Sequence, residues 1–140
     1  MAGYSGTPLA RKLGIGDGTT VGVLSAPHGF TVDGLPDGVN LRRQARGPLD
    51  VIVSFHTSKS DLEARLPALL QALHVDGGLW IAWPKRASGL ATDITEDTIR
   101  EVALPTGMVD NKVCAIDDTW SGLRLVLRKE LRSGRRRAAG

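Results

Sequence analysis

Two uninterrupted apolar runs with one helix-patterned segment between them constrain this chain more than any other feature. "LDVIVSFHT" (Leu49 to Thr57) sets Val51, Ile52 and Val53 side by side, and "LWIAWP" (Leu79 to Pro84) is apolar throughout. A strand with one wet face alternates in polarity, whereas continuous apolar runs belong to strands covered on both faces, as in parallel sheets. Between the runs, "SKSDLEARLPALLQALHVDGG" places Leu62, Leu66, Leu69, Leu70 and Leu73 at helical spacing. Ser60 with Glu63 three residues on reads as a capping box. Pro67 predicts a bend in this helix, and Gly77 and Gly78 read as its end. Strand, helix and strand in that order predict a right-handed parallel crossover.

The flanks extend the pattern. "GTPLARKLGIGDG" predicts a short helix over Pro8 to Leu13, with Thr7 as N-cap and Gly14 just past the end. "TTVGVLSAP" (Thr19 to Pro27) is a β-branched strand, "HGFTVDGLPDG" a glycine- and proline-punctuated loop, and "VNLRRQ" (Val39 to Gln44) a weak edge strand. In "TDITEDTIREVALPTG", Thr95 caps a helix that Pro105 and Gly107 stop. "NKVCAIDDTWSGLRLVLRK" predicts an antiparallel hairpin, Lys112 to Ile116 and Leu123 to Lys129, joined through Asp118 to Gly122. The expected fold is therefore α/β: one Rossmann-like, three-layer domain over residues 1–129, mostly parallel, closed by a C-terminal antiparallel hairpin. Its order resembles a truncated class I methyltransferase sheet, a likeness of architecture and not of function.

Ligands of open α/β sheets bind beyond the carboxyl ends of the strands. In the methyltransferase-like order, the strand ending at Pro27 lies beside the one ending at Phe55, and that beside the one ending at Trp83. The three tips bring His28, His56, Trp83, Lys85, Ser88 and Gly89 to one rim, with Asp117 and Asp118 of the hairpin turn as possible additions. Pro84 ends the pairing because it has no N–H to donate, and the loop behind it delivers the Lys85 cation. Each residue also has a plainer reading. Lys85 is an ordinary surface lysine unless a neighbour lowers its pKa. Two histidines without helical i, i+4 spacing are a weak metal signal, and aspartates at a turn serve local hydrogen bonds. Trp80 and Trp83, an odd number of positions apart, face opposite sides of the sheet.

The first strand is followed by "APHGF" and not by G-x-G-x-x-G, so no cradle for a pyrophosphate or an adenosyl cofactor is evident. Arg42, Arg43 and Gln44 end the second strand, where nucleoside binders of this architecture need an acid for the ribose hydroxyls. There is no P-loop, G-x-S-x-G or H-E-x-x-H. No cofactor and no metal site is expected.

Charge is unevenly placed. From Arg128 onward six basic residues face Glu130 alone, while the first 127 residues carry 12 basic and 14 acidic side chains. The basicity belongs to a tail over residues 130–140, expected to be disordered; Arg132, Arg135, Arg136 and Arg137 could touch nucleic-acid phosphates in a salt-dependent way. A lone cysteine, Cys114, and the lack of a membrane-length apolar run or signal-peptide core point to a cytoplasmic protein.

"YSGTPLARKLGI", "LWIAWPK" and "DNKVCAIDDTWSGLRLVLRK" together resemble a bacterial family designated only as a domain of unknown function, DUF3052. The resemblance runs up to about Lys129. It implies a small stand-alone bacterial cytoplasmic protein without assigned activity, and it carries over no catalytic residue. Three functions compete. The first is a non-enzymatic binding or regulatory module on a degenerate Rossmann-like sheet, with a small anionic ligand or a protein partner. The second is a small enzyme or anionic-metabolite binder using His28, His56 and Lys85. The third is a nucleic-acid-associated protein acting through its arginine tail. Oligomeric state is open, since the edge strand and the hairpin could each receive a second copy.

Overall fold

A computed structural model describes residues 6–132. Its elements in chain order are α1 (Leu9–Leu13), β1 (Thr20–Leu24), β2 (Asn40–Arg42), β3 (Leu49–Phe55), α2 (Lys59–Ala72), β4 (Leu73–Pro84), α3 (Glu96–Ala103), β5 (Met108–Ala115) and β6 (Trp120–Leu127). They form one six-stranded sheet in the order β2-β1-β3-β4-β6-β5. The first four strands are mutually parallel, and β6 runs antiparallel to both β4 and β5. This is the mostly parallel α/β sheet with an antiparallel hairpin that the alternation of runs predicts.

Both sheet faces are covered, which is why β3 and β4 are apolar without alternation. One face packs Ile52, Leu79, Ile81 and Trp83 against Leu62, Leu66 and Leu69 of α2 and Ile99 of α3. The other packs Val21, Val53, Phe55 and Trp80 against Leu9, Ala10 and Leu13 of α1. Trp80 and Trp83 do lie on opposite faces, both buried, and the Trp80 indole N–H donates to the Leu13 carbonyl at 3.0 Å. That bond satisfies a buried donor and ties the short helix to the sheet. Each fully buried aliphatic side chain contributes about 1.5–3 kcal/mol relative to exposure.

Several local expectations differ in detail. Pro8, not Thr7, occupies the N-cap of α1, and a free first-turn N–H, that of Ala10, is met by the Asp33 carbonyl at 2.9 Å. Helix α2 is capped by Ser58 and not Ser60: Ser58 is extended, and its Oγ accepts from the Asp61 N–H at 3.2 Å. Gly77 and Gly78 do not end the helix. They lie inside β4, which starts directly at Leu73. A Cβ on Gly77 would come within 2.7 Å of the Asp50 carbonyl, so the backbone excludes a side chain there; one on Gly78 would come within 2.5 Å of Arg124 Nε, so that guanidinium would have to move aside. Trp120, Ser121 and Gly122, expected in the hairpin turn, already pair with β4. Of the tail, residues 130–132 are described: Leu131 packs against the core and the Arg132 Nε–H donates to the Leu127 carbonyl at 2.8 Å. Residues 133–140, with Arg135, Arg136 and Arg137, lie outside the described residues.

Candidate ligand site at the carboxyl edge

Strands β1, β3 and β4 are adjacent and parallel, so their carboxyl ends share one edge of the sheet. The β5–β6 turn comes to the same edge, because Pro84 pairs with Trp120 and the Lys85 N–H donates to the Thr119 carbonyl at 2.8 Å. The tips of the predicted rim and its aspartate turn are thus brought together.

The side chains on that rim are put to different uses. His28 is exposed in the turn after β1, and Lys85 is half-buried. The Ser88 hydroxyl donates to the Lys85 carbonyl at 2.7 Å and accepts from the Leu90 N–H at 3.2 Å, so it braces its own turn. Gly89 closes that turn at φ +80°, a conformation that favours glycine. Asp117 Oδ1 accepts from the Thr119 and Trp120 N–H groups, both at 2.8 Å, leaving Asp118 exposed beside it. Trp83 is buried and lines a groove of about 470 Å³ with Arg86, Leu90, Thr92 and Glu96. Among the described residues, no group of three or more His, Cys, Asp or Glu could hold a metal ion.

His56 departs most from the expected rim: it turns into the helix-covered core. Its Nδ1 lies 2.7 Å from Asp61 Oδ2 and its Nε2 lies 2.7 Å from Ser54 Oγ. A carboxylate only accepts, so Nδ1 carries the proton, and in the neutral ring Nε2 accepts from the Ser54 hydroxyl. Burial lowers the His56 pKa below 6.5, outweighing the opposing pull of the Asp61 carboxylate. The order serine, histidine, aspartate resembles that of an activated nucleophile. Ser54, however, is fully buried mid-sheet beside Leu24 and Ile81, where no substrate reaches its oxygen. Ser54 and Asp61 were not picked out by sequence reasoning. The signal was "SFHTSKSD", in which i and i+2 share a strand face and a second Ser-x-x-Asp cap follows.

A second feature sequence reasoning missed is the crevice between β1 and β2. Its lining includes Val23, Ala26, Phe30, Leu35, Leu41 and Arg43, and its volume is about 170 Å³. Chain direction reverses out of β1 at Ser25, which takes φ +58° where glycine would be unstrained. The loop then folds back, stacking Phe30 edge-on against Phe55 at 4.9 Å; Phe55 in turn meets Trp120 at 5.0 Å. This aromatic row roofs the edge.

The comparisons with known proteins agree with this architecture. A family model described as a protein of unknown function, DUF3052, matches residues 39–129. The chain belongs to that family. Its match ends at Lys129, where the resemblance in sequence also ends, and begins after α1 and β1. A comparison with curated proteins finds no match. Among solved structures, the chain is similar to a SAM-dependent methyltransferase from Aquifex aeolicus, with a TM-score of 0.62 at 13% identity over 84% of this chain and 86% of that one. It is also similar to a TehB-like SAM-dependent methyltransferase from Corynebacterium glutamicum, with a TM-score of 0.57 at 14% identity over 91% of each chain. A fibrillarin pre-rRNA processing protein from Methanococcus jannaschii aligns with a TM-score of 0.58 at 14% identity over 86% of this chain and 69% of that one. At such identities the likeness is one of fold.

The cofactor of those methyltransferases does not fit the residues present here. A crevice of about 170 Å³ is close to the ~150 Å³ of a cavity that just holds benzene. It is well short of the roughly 300 Å³ at the lower end of ligand pockets. Its lining has a guanidinium, Arg43, and no carboxylate to accept from ribose hydroxyls. Among the described residues, no helix is long and apolar enough to cross a membrane.

Proposed function

We propose that this DUF3052 protein is a cytoplasmic, non-enzymatic binding or regulatory module built on a methyltransferase-like sheet. One observation supports it above the others: the loop after β1, which would have to cradle an adenosyl group, instead packs Phe30 onto Phe55 and reduces the crevice to a benzene-sized hollow. The rim points the same way. His56 has both ring nitrogens engaged, so it is no free acid or base, and Ser88 and Asp117 hold backbone groups of their own turns. The test is isothermal titration with S-adenosylmethionine and S-adenosylhomocysteine. No heat of binding is expected at ~1 mM ligand, and a micromolar dissociation constant, worth about −8 kcal/mol, would overturn the reading.

A second reading is favoured by Arg43. Its guanidinium stands at an apolar hollow and makes no ion pair among the described residues. A small carboxylate with an apolar body would place its charge on that fork and its body in the hollow. His28 and Lys85 remain the other rim groups open to an anion. Benzoate raising the melting temperature of the wild type, but not of Arg43→Gln, would support this version; no rise in either protein would remove it.

A further inference from the structure

Away from the carboxyl edge, on the sheet face covered by α1, lies a cleft of about 230 Å³ lined by Lys12, Leu13, Gly14, Asn111, Lys112 and Arg124. Its lining holds three cationic side chains and no acid. Lys112 and Arg124 sit directly opposite each other in the β5–β6 register. Like charges in that position destabilise a sheet, so the pair needs a reason beyond folding. The Arg124 guanidinium is half-buried, and it lies over Gly78, where a Cβ would fall 2.5 Å from Nε. The missing Cβ at Gly78 leaves the room that the guanidinium occupies.

The cleft lining itself supplies no carboxylate to Arg124 or Lys112. Among the described residues Arg124 makes no ion pair and no side-chain hydrogen bond. Burial, and then the nearby Arg132, both lower the Arg124 pKa, as expected for a cation short of counter-charge. Elsewhere the chain treats a surface arginine differently: Arg100 is held by Glu96, Asp97 and Asp110 together. The Lys112 ammonium spends one donor on the Lys12 carbonyl at 3.1 Å, which leaves two for a ligand.

We propose that this cleft binds the phosphate group of a small phosphate monoester, with Arg124 and Lys112 as its principal contacts and Lys12 at its lip. A phosphate monoester carries nearly two negative charges and three acceptor oxygens, which suits a guanidinium fork flanked by ammonium groups better than a single carboxylate does. The recessed position of Arg124 favours a terminal phosphate on a small body over the backbone of a polymer. This site is separate from the rim discussed above and does not depend on it.

The experiment uses the full chain in phosphate-free buffer, with inorganic phosphate and phenyl phosphate as probes at matched ionic strength. The wild-type melting temperature is expected to rise by roughly 3 °C in ~20 mM phenyl phosphate relative to sodium chloride. Arg124→Gln is expected to melt no lower than wild type in chloride, because it removes one of two facing like charges, and to lose most of the phosphate-dependent rise. Lys112→Gln, at an exposed position with little folding risk, is expected to lose about half of it. A wild-type rise no larger than that in chloride, or a full rise retained by both variants, would overturn the proposal. The same holds if a labelled single-stranded oligonucleotide binds, Arg124→Gln weakens it, and phenyl phosphate does not compete: the surface would then serve a phosphodiester.

Discussion

The two faces of the sheet treat buried polar groups in opposite ways. On the face under α2 and α3, Ser54, His56 and Asp61 form a chain of two 2.7 Å hydrogen bonds with both imidazole nitrogens engaged. On the face under α1, Arg124 is half-buried and charged, opposite another cation, with no carboxylate on it among the described residues. A polar group that the fold satisfies itself contributes to stability and uniqueness. A charge left unsatisfied costs stability, and its retention points to something outside the chain. The histidine looks more like a catalytic group, and the arginine is the better ligand candidate.

The contrast is sharpened first at His56. His56→Ala removes a fully buried ring, orphans the Ser54 hydroxyl and opens a cavity, so urea unfolding should show a loss of about 3 kcal/mol. A loss below about 1 kcal/mol would mean the hydrogen-bonded chain is not a structural unit. Gly78→Ala comes next. It sets a Cβ against the Arg124 guanidinium, which must swing aside, and should cost about 1 kcal/mol, with the phosphate response weakened as well. An unchanged protein would show that the guanidinium is not seated on that strand.

The pH response is smaller and has a definite sign. The His56 pKa is lowered in the folded state, so below 6.5 the unfolded chain binds more protons than the folded one. Stability should be level above that value and decline as pH falls from it toward the folded-state pKa, by at most about 1.4 kcal/mol per pH unit. Thermal melts from neutrality to mild acid check this, and His56→Leu should remove that part of the slope. The smallest effect is expected at Arg100, whose links to Glu96, Asp97 and Asp110 join α3 to β5 at the surface. Arg100→Gln should destabilise slightly, and the difference should shrink in high salt.

Much of the fold was legible in the sequence because it rests on local pattern. Continuous apolar runs at Leu49–Phe55 and Leu79–Trp83, with a leucine-spaced helix between, require a doubly covered parallel pair. The short "VNLRRQ" run reads as a weak strand of edge character and does lie at the sheet edge, and the hairpin follows from the close spacing of its strands. What stayed hidden depends on contacts between distant segments. Nothing near Gly78 in the chain announces Arg124, 46 positions later, so by local pattern the glycine reads as a helix stop. Ser58 and Ser60 are both plausible caps by themselves; the choice is tied to Asp61, whose N–H bonds the cap and whose carboxylate bonds His56. Phe30 sits in a glycine-rich loop, and only its meeting with Phe55 shows that the loop closes the crevice.

The contrast between the faces can be tested in one titration: phenyl phosphate added to the ¹⁵N-labelled full chain, followed through the Arg124 Nε–H and the His56 ring nitrogens. The Arg124 signal should shift and saturate while His56 keeps its neutral, Nδ1-protonated ring unchanged. A stationary Arg124 signal, or a response confined to His56, would contradict the assignment of ligand and structural roles to the two faces.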